Sequence, residues 1–422
     1  MELKPGYLCP PGYKQTEVGV IPEEWETRPC SNLSDRIMVG IVIRPTQYYV
    51  RQGVPAFRSA NIREDGINDS DLVFISEKSN ALLAKSQTRA GDVLTVRTGY
   101  PGTSAVVLPA FAGCNCIDIL ITRPSKELNS EYLAVWINSS FGKEQVLRNQ
   151  GGLAQQHFNV GDMRNLVVAL PPLPEQRAIA GALSDVDALI GSLDQLIAKK
   201  RDLKQATMQQ LLTGQKRLLG FHGEWEVKRL GEIADVKTGP FGSSLHESDY
   251  VRDGTPIITV EHLGEFGVAH FNLPLVSDSD RRRLLAYSLE IGDIVFSRVG
   301  SVDRNALIRP DEEGWLFSGR LLRVRPDRQK AFAPFLSYQF HGERFKGLVR
   351  NVAVGQTMAC LNTQILKGIA VVLPSLPEQT AIAEVLSDMD AELAALEQRR
   401  DKTRDLKQGM MQELLTGRTR LV

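Results

Sequence analysis

The cysteines and histidines are the residues that could hold a metal ion, but their spacing argues against such a site. Cys114 and Cys116 lie one residue apart, and no second Cys or His pair follows at the spacing of a zinc site. The six histidines form no HExxH or other paired arrangement. We therefore expect Cys114 and Cys116 to be small buried residues of a strand, and we expect no metal in this chain.

Sequence motifs for nucleotide or cofactor chemistry are missing as well. The chain has no GxxxxGK[ST] phosphate loop and no FxGxG-type turn after a strand. Pro171 and Pro172 lie between leucines, so they predict a helix start and not the Asn/Asp-Pro-Pro-aromatic motif of amino-methylating enzymes. Serines, threonines and carboxylates are common but form no recognisable nucleophile site. We therefore expect no catalytic residue and no bound cofactor in this chain.

A close repeat of 42 residues is the strongest pattern in the sequence. Residues 173–214 and 376–417 align without a gap, with 26 identities in 42 positions. Each copy starts with Leu-Pro-Glu-Gln and has apolar residues at alternating spacings of four and three, which predicts a coiled-coil helix. We expect glycine to end the helices, at Gly214 and Gly417. The apolar positions are Ile179, Leu183, Val186, Ile190, Leu193 and Ile197 in the first copy, and Ile382, Leu386, Met389, Leu393 and Leu396 in the second.

The remaining sequence repeats more weakly. Trp25 and Trp225 are 200 residues apart, and GDVLTVRTG at 91–99 matches GDIVFSRVG at 292–300. Short apolar runs between Gly, Pro and Asn turns predict mainly antiparallel strands, and one helix is predicted at each of 130–149 and 333–351.

These patterns predict an α+β fold with two pseudo-repeated domains, separated by two long antiparallel helices that form an intramolecular coiled coil. The helices should be antiparallel because the first leads into the second domain and the second must return; parallel pairing with another molecule is the alternative. We predict four segments, namely a first module, a first helix, a second module and a second helix, at 1–172, 173–215, 216–375 and 376–422.

Composition indicates where the protein acts and with what it associates. The chain has 50 basic and 50 acidic residues, whereas a protein that binds nucleic acid alone is usually basic. Tight binding would therefore depend on local patches or on partners. Five cysteines suit a reducing compartment, and no signal segment or membrane-length apolar run is present. We expect a cytoplasmic protein without membrane contact.

A polar segment within the helical repeat is strictly duplicated. Arg-Asp-Leu-Lys-Gln occupies residues 201–205 and again 404–408. A solvated face with local ion pairs would explain such residues, but their strict repetition favours a duplicated docking surface. The predicted docking residues are Arg201, Lys204, Gln205, Arg404, Lys407 and Gln408.

Together these residues resemble the specificity (S) subunit of type I restriction–modification enzymes. The resemblance covers nearly the whole chain and includes GVIPEEWE at 19–26, GFHGEWEVKRLGEIA at 220–234 and the doubled LPxLPEQ helix start. The helical motif with its Leu-Leu-Thr-Gly ending is highly specific, and the strand motifs are less so. The second module has a Gly-Gln turn at 355–356, whereas the first departs from this pattern with GGLAQQ at 151–156.

The resemblance implies that each module is a target-recognition domain reading one half of a gapped site in double-stranded DNA. The helices would set the gap and dock two modification (methyltransferase) subunits, and restriction (motor-nuclease) subunits would join the complex. S-adenosylmethionine, ATP and Mg would bind to those partner subunits.

The resemblance also suggests which residues contact DNA, since arginine and lysine suit guanine, and asparagine and glutamine suit adenine. At each position a solvated or structurally bonded side chain is the alternative. Residues 281–283, three arginines, fit a phosphate contact or an exposed helix face better than base reading. The predicted DNA-contacting residues are Arg97, Thr98, Tyr100, Arg298 and Ser301, then Gln155, Gln156, Gln356 and Thr357, and then Lys237, Thr238, Ser243 and Ser244.

Two other classes of function fit parts of the sequence. One is a non-catalytic, two-headed scaffold that does not bind DNA but carries carbohydrate- or peptide-binding domains. The other is an enzyme whose site has no recognisable motif.

Overall fold

The computed structural model contains two compact units. Unit 1 comprises Met1–Asp194 together with Gln398–Val422, and unit 2 comprises Gln195–Glu397. Each unit therefore holds one module and a part of both long helices, while the division into four segments stays a prediction. The residues that the structure describes are 9–148, 157–240, 249–264, 267–353 and 360–422.

A four-stranded antiparallel sheet lies at the centre of each module. Most residues of its second and third strands are buried, which indicates that both faces of these strands are covered. The strands follow the same spatial order in both units, which confirms the pseudo-repeat. They are Ser104–Val106, Val93–Val96, Ile119–Pro124 and Ser34–Val39 in unit 1, and Asn305–Leu307, Ile294–Ser297, Leu321–Pro326 and Ala234–Thr238 in unit 2.

A second four-stranded sheet is also shared by the two units. Its last two strands run parallel, and its other neighbours are antiparallel. In order the strands are Tyr49–Val50, Val73–Ile75, Val54–Phe57 and Asn115–Cys116 in unit 1, and Tyr250–Val251, Leu275–Val276, Thr255–Ile258 and Leu316–Phe317 in unit 2.

Smaller elements complete the modules. A two-stranded antiparallel ribbon leads to the start of each long helix, formed by Glu26–Pro29 with Val167–Leu170 and by Glu226–Arg229 with Ala370–Leu373. Unit 1 has two more hairpins, Tyr13–Thr16 with Gly19–Pro22 and Ile62–Arg63 with Gly66–Ile67. The short helices are Glu77–Leu82 and Val160–Asn165 in unit 1, and Leu230–Ile233, Asp278–Arg283 and Thr363–Gly368 in unit 2.

The prediction of a single helix at 130–149 and at 333–351 is wrong, because each of these segments forms two helices. Ser139 and Gly342 have extended backbones, with ψ of 167° and 141°, and each separates two helices. In unit 1 the Ser139 hydroxyl donates to the Trp136 carbonyl at 2.6 Å, and a Cβ on Gly142 would lie 2.5 Å from that oxygen, so the break is tightly packed. The helices are Ser130–Asn138, Ser140–Arg148, Ala333–His341 and Glu343–Val352.

The two long helices, Leu173–Leu212 and Leu376–Leu414, are antiparallel within each unit. In unit 1 Asp187 pairs with Lys407 and Asp194 with Arg400, so one residue number falls as the other rises. Most predicted seam residues are buried. Gly214 and Gly417 follow the helices with φ of +72° and +66°, a conformation that favours glycine.

Each unit has its own hydrophobic core, which joins the module to the helix pair. Trp25, Tyr132 and Trp136 pack with Leu183 and Leu414 in unit 1. Phe335, Phe340 and Leu230 pack with Leu211 and Leu386 in unit 2.

Cys114 and Cys116 are buried as the sequence predicts, but Cys114 lies just before the strand and not in it. Cys114 and Cys116 are 6% and 0% exposed, and Cys116 lies in a strand. Burial raises the pKa of the Cys30 thiol to about 11. Among the described residues no group of three or more His, Cys, Asp or Glu could hold a metal ion. None of the helices in the described ranges is both long and apolar enough to cross a membrane.

Candidate functional site

The turn after the strand Val93–Val96 carries three of the predicted DNA-contacting residues. The Arg97 side chain is 19% exposed; its Nε donates to the Phe158 carbonyl at 3.3 Å, and its Nη1 pairs with the Asp118 carboxylate. Thr98 Oγ1 donates to the same carboxylate at 3.3 Å. Tyr100 is 85% exposed. Asp118 thus brings Arg97 and Thr98 together beside an exposed aromatic ring.

The equivalent turn of unit 2 is built differently. Arg298 follows the strand Ile294–Ser297; its backbone N–H donates to the Arg320 carbonyl at 2.9 Å, and its Nη1 donates to the Gly319 carbonyl at 3.4 Å. Ser301 is exposed, and its carbonyl accepts from the Arg304 N–H at 3.1 Å. Carbonyl oxygens therefore contact Arg298 where a carboxylate contacts Arg97.

A returning segment is attached to each of these turns in the same way. The Phe158 N–H donates to the Arg97 carbonyl at 3.0 Å, and the Leu361 N–H donates to the Arg298 carbonyl at 2.8 Å. Both acceptors belong to the predicted DNA-contacting turns. The predicted polar residues that precede these segments, Gln155, Gln156, Gln356 and Thr357, lie outside the described residues.

Lys237 and Thr238 end the edge strand Ala234–Thr238 of unit 2. Lys237 Nζ donates to the Ala286 carbonyl at 2.7 Å and lies 4.6 Å from the centroid of the Tyr287 ring, so the amine is held against the protein. Thr238 Oγ1 is buried and has no hydrogen-bond partner within the described part of the chain. Ser243 and Ser244, predicted with them, lie outside the described residues.

Two features beside the Arg97 turn of unit 1 are not predicted by the sequence motifs. Asp118 was not singled out, although it is the one carboxylate in the apolar run CIDILI. The loop after the strand Ser34–Val39 was not considered either, yet Ile43 is 75% exposed and Arg44 has a φ of +42°. Aligning this loop with the glycine-rich one after Thr238 would have drawn attention to it.

The duplicated polar residues of the long helices divide into two kinds. Lys204 pairs with Asp390 and its side chain is only 5% exposed, while Lys407 pairs with Asp187 at 2.6 Å. These lysines hold the helices to each other, so a partner would have to displace an ion pair to reach them.

The other members of the duplicated segment face outward. Arg201 and Arg404 reach Glu397 and Asp194 at 2.5 and 3.0 Å, but their side chains remain 61% and 50% exposed. Gln205 and Gln408 are exposed, and Leu203 and Leu406 are 52% and 59% exposed. The accessible members of the predicted docking set are therefore Arg201, Gln205, Arg404 and Gln408, and the leucines Leu203 and Leu406 are exposed beside them.

A buried carboxylate joins the start of the first helix to the end of the second. Glu175, whose side chain is 1% exposed, accepts from Arg420 Nη2 at 2.7 Å and from Trp25 Nε1 at 3.2 Å. The Arg420 guanidinium carbon lies 5.7 Å from the centroid of the Trp25 ring. We name Trp25, Glu175 and Arg420 the first clasp.

Unit 2 repeats the ion pair and the ring contact with the helices exchanged, but Trp225 Nε1 is buried without a hydrogen-bond partner among the described residues. Glu378, also 1% exposed, accepts from Arg217 Nη2 at 2.6 Å, and Arg217 lies 5.7 Å from the Trp225 ring centroid. The hydrogen bonds that Arg217 donates to the Glu378 carboxylate raise the pKa of Arg217. Trp225, Glu378 and Arg217 form the second clasp. The clasps explain why the Pro-Glu-Gln start and the Thr-Gly-x-x-Arg end both recur, since each start binds the opposite end.

Comparison with known proteins agrees with this architecture. The sequence profile described as "Type I restriction modification DNA specificity domain" matches residues 109–199 and 222–403, more than half of the chain. A protein of Methanocaldococcus jannaschii named as the MjaX specificity subunit of a type I restriction enzyme is 26% identical, and the alignment covers 97% of each chain. The StySPI specificity subunit of Salmonella potsdam is 25% identical, with 88% of this chain and 83% of the relative covered.

Solved structures share the fold. The S subunit of a type I restriction–modification system from M. genitalium has a TM-score of 0.58 at 16% identity, covering 93% of this chain and 96% of its own. A chain from a structure of complex assembly and conformational transition in the type I R-M system has a TM-score of 0.58 at 18% identity, covering 94% of this chain and 99% of its own.

The chain therefore belongs to the family of type I restriction–modification DNA specificity subunits. The family and the fold class predicted from the sequence are thus confirmed. Specificity subunits are the non-catalytic members of their systems, so this chain is not an enzyme by itself.

Proposed function

We propose that this chain directs a type I restriction–modification complex to an asymmetric, gapped DNA site. Each module reads one half-site in double-stranded DNA, and the paired helices set the gap between the half-sites. The exposed duplicated residues of the helices dock two modification subunits, and restriction subunits join them. The partner subunits, and not this chain, bind S-adenosylmethionine, ATP and Mg.

The observation that carries this proposal is that both modules have the same backbone arrangement but different residues in the turn after the same central strand. Both modules place an arginine directly after the same central strand, and both attach a returning segment to that arginine's carbonyl. Around this arginine the chemistry differs: Asp118 and Tyr100 in unit 1, and Gly319 and Ser301 in unit 2. A shared backbone with different polar groups suits the reading of two unlike sequences.

Module exchange tests the proposal. Residues 216–373 are replaced by the corresponding segment of another specificity subunit, and the methylated sequences are mapped across the host genome by methylation-aware sequencing. We expect one half-site to change and the other half-site and the gap to stay as they are. A simultaneous change of both half-sites would contradict independent reading by the modules.

A scaffold that does not bind DNA is distinguished by its response to salt. A DNA reader that neutralises phosphates loses affinity for duplexes steeply as salt rises, because counterions are released on binding. The chain with its co-purifying subunits is titrated with random duplexes at two salt concentrations. Absence of duplex binding at the lower concentration would favour the scaffold.

A further inference from the structure

We infer that Asp118 is a positioning residue that sets the base preference of the first module. The inference rests on the proposed function. Ile117 and Asp118 form the two-residue connection between the strands Asn115–Cys116 and Ile119–Pro124. Asp118 has a φ of +52°, and its backbone N–H donates to the Ile41 carbonyl at 3.0 Å. Its carboxylate is therefore anchored where the exposed loop after Val39 and the turn at Arg97 meet.

The carboxylate restricts two side chains that would otherwise rotate. It takes one hydrogen bond from Arg97 Nη1 and one from Thr98 Oγ1, and the Phe158 carbonyl takes a third from Arg97 Nε. A guanidinium has five N–H donors in a rigid plane, so three remain for a ligand. An arginine held in this way presents a fixed fork, which matches the two acceptors on the major-groove edge of guanine.

The corresponding connection of the second module is built from different residues. The connection between Phe317 and Leu321 consists of Ser318, Gly319 and Arg320, so no carboxylate occupies it and an exposed arginine is present instead. The side chain in this connection is therefore negatively charged in the first module (Asp118) and positively charged in the second (Arg320). Asp118 therefore contributes to the difference in base preference between the two modules, although it does not itself contact a base.

The experiment uses the full-length chain with the modification subunits that co-purify with it. The preferred bipartite sequence is first selected from random duplexes with the wild-type chain. Asp118→Asn, which keeps the shape and removes the charge, is then compared with Asp118→Glu, with Arg97→Gln and with the double variant. Affinity for every single-base change in both half-sites is measured at two salt concentrations, together with the melting temperature.

We expect Asp118→Asn to reduce discrimination about tenfold or more at the base read by Arg97, with an unchanged salt dependence and an unchanged second half-site. Arg97→Gln should affect the same base, the double variant should add little, and Asp118→Glu should restore part of the discrimination. Arg320→Gln, the matched change in the second module, should leave the first half-site unaltered.

Two results would overturn the inference. One is an unchanged first half-site in Asp118→Asn. The other is an equal loss at both half-sites with a lowered melting temperature, which would make Asp118 purely structural. Failure of the wild-type chain to select any sequence would instead remove the proposed function, whereas selection of a bipartite site that Asp118→Asn leaves unaltered rejects this inference alone.

Discussion

Equivalent residues of the two modules can do the same structural work with different chemistry. Asn138 in unit 1 accepts from the Ser104 N–H and donates to the Ser104 carbonyl, both at 2.9 Å. At the matching position in unit 2, His341 bonds to the Ser337 carbonyl through Nδ1 at 2.7 Å and also interacts with the Asn305 backbone. Burial lowers the pKa of His341, and Lys346 and Lys204 lower it further, although the two backbone contacts act in the opposite direction.

This histidine makes the stability of unit 2 dependent on pH. The pKa of His341 is lower in the folded than in the unfolded protein, where it is about 6.5. The neutral side chain therefore contributes fully to the free energy of unfolding above about pH 6.5, and this contribution is lost as the pH falls below that value. His341→Asn, which copies unit 1, should remove this part of the acid sensitivity. Denaturant unfolding of both proteins between neutral and mildly acid pH measures the effect, and parallel curves for the two would contradict it.

At the scale of elements, the clasps fix how the long helices meet. In each clasp an almost fully buried glutamate depends on one arginine for its charge balance. Removing a single partner of such a pair leaves a buried charge uncompensated, which costs more than the pair itself contributes.

Arg420→Ala should therefore lower the free energy of unfolding by about 2–3 kcal/mol. This is less than the roughly 3–5 kcal/mol expected of a fully buried pair, because the Arg420 side chain is about a third exposed. Arg217→Ala should destabilise unit 2 for the same reason. The changes are measured by denaturant unfolding. Combining Arg420→Met with Glu175→Gln should recover most of the loss, and an equal loss in the double variant would show that packing, and not charge, is responsible.

The sequence predicts helices and strands well where neighbouring residues determine the structure. Helix ends at Gly214 and Gly417, the apolar seam and most strands follow from periodicity and turn residues alone. The breaks at Ser139 and Gly342 were missed, because neither residue type forces an extended backbone by itself. In unit 1 the break depends on the close packing of Gly142 against the preceding helix, which no local pattern indicates. The clasps were missed because Glu175 and Arg420 are 245 residues apart, so no local pattern relates them. Likewise, Lys204 and Lys407 look solvated until their partners on the other helix are known.

For the whole molecule, zero net charge and a duplicated outer surface both point to partners. Leu203 and Leu406 are equivalent, more than half exposed and flanked by identical polar residues. Such solvent-facing leucines add little to folding, so charged substitutions there should leave the fold intact while opposing association.

The two sites should act independently on assembly. If two modification subunits dock as proposed, Leu203→Asp or Leu406→Asp alone should reduce their number from two to one, and the double variant should bind none. Mass measurement of the purified complexes gives the count, and Leu219→Asp, at a fully exposed leucine outside the duplicated segment, serves as the control. Two bound subunits in the double variant would place docking elsewhere.

The tryptophan in each clasp also turns the protein into its own optical reporter. Trp25 and Trp225 lie under the arginines whose release would change the surroundings of the indole rings. With Trp136 and Trp315 replaced by phenylalanine, the tryptophan fluorescence would come from these two rings alone. Loosening of either helix end, whether by heat, by a variant or by assembly, would then be followed in real time without an attached dye.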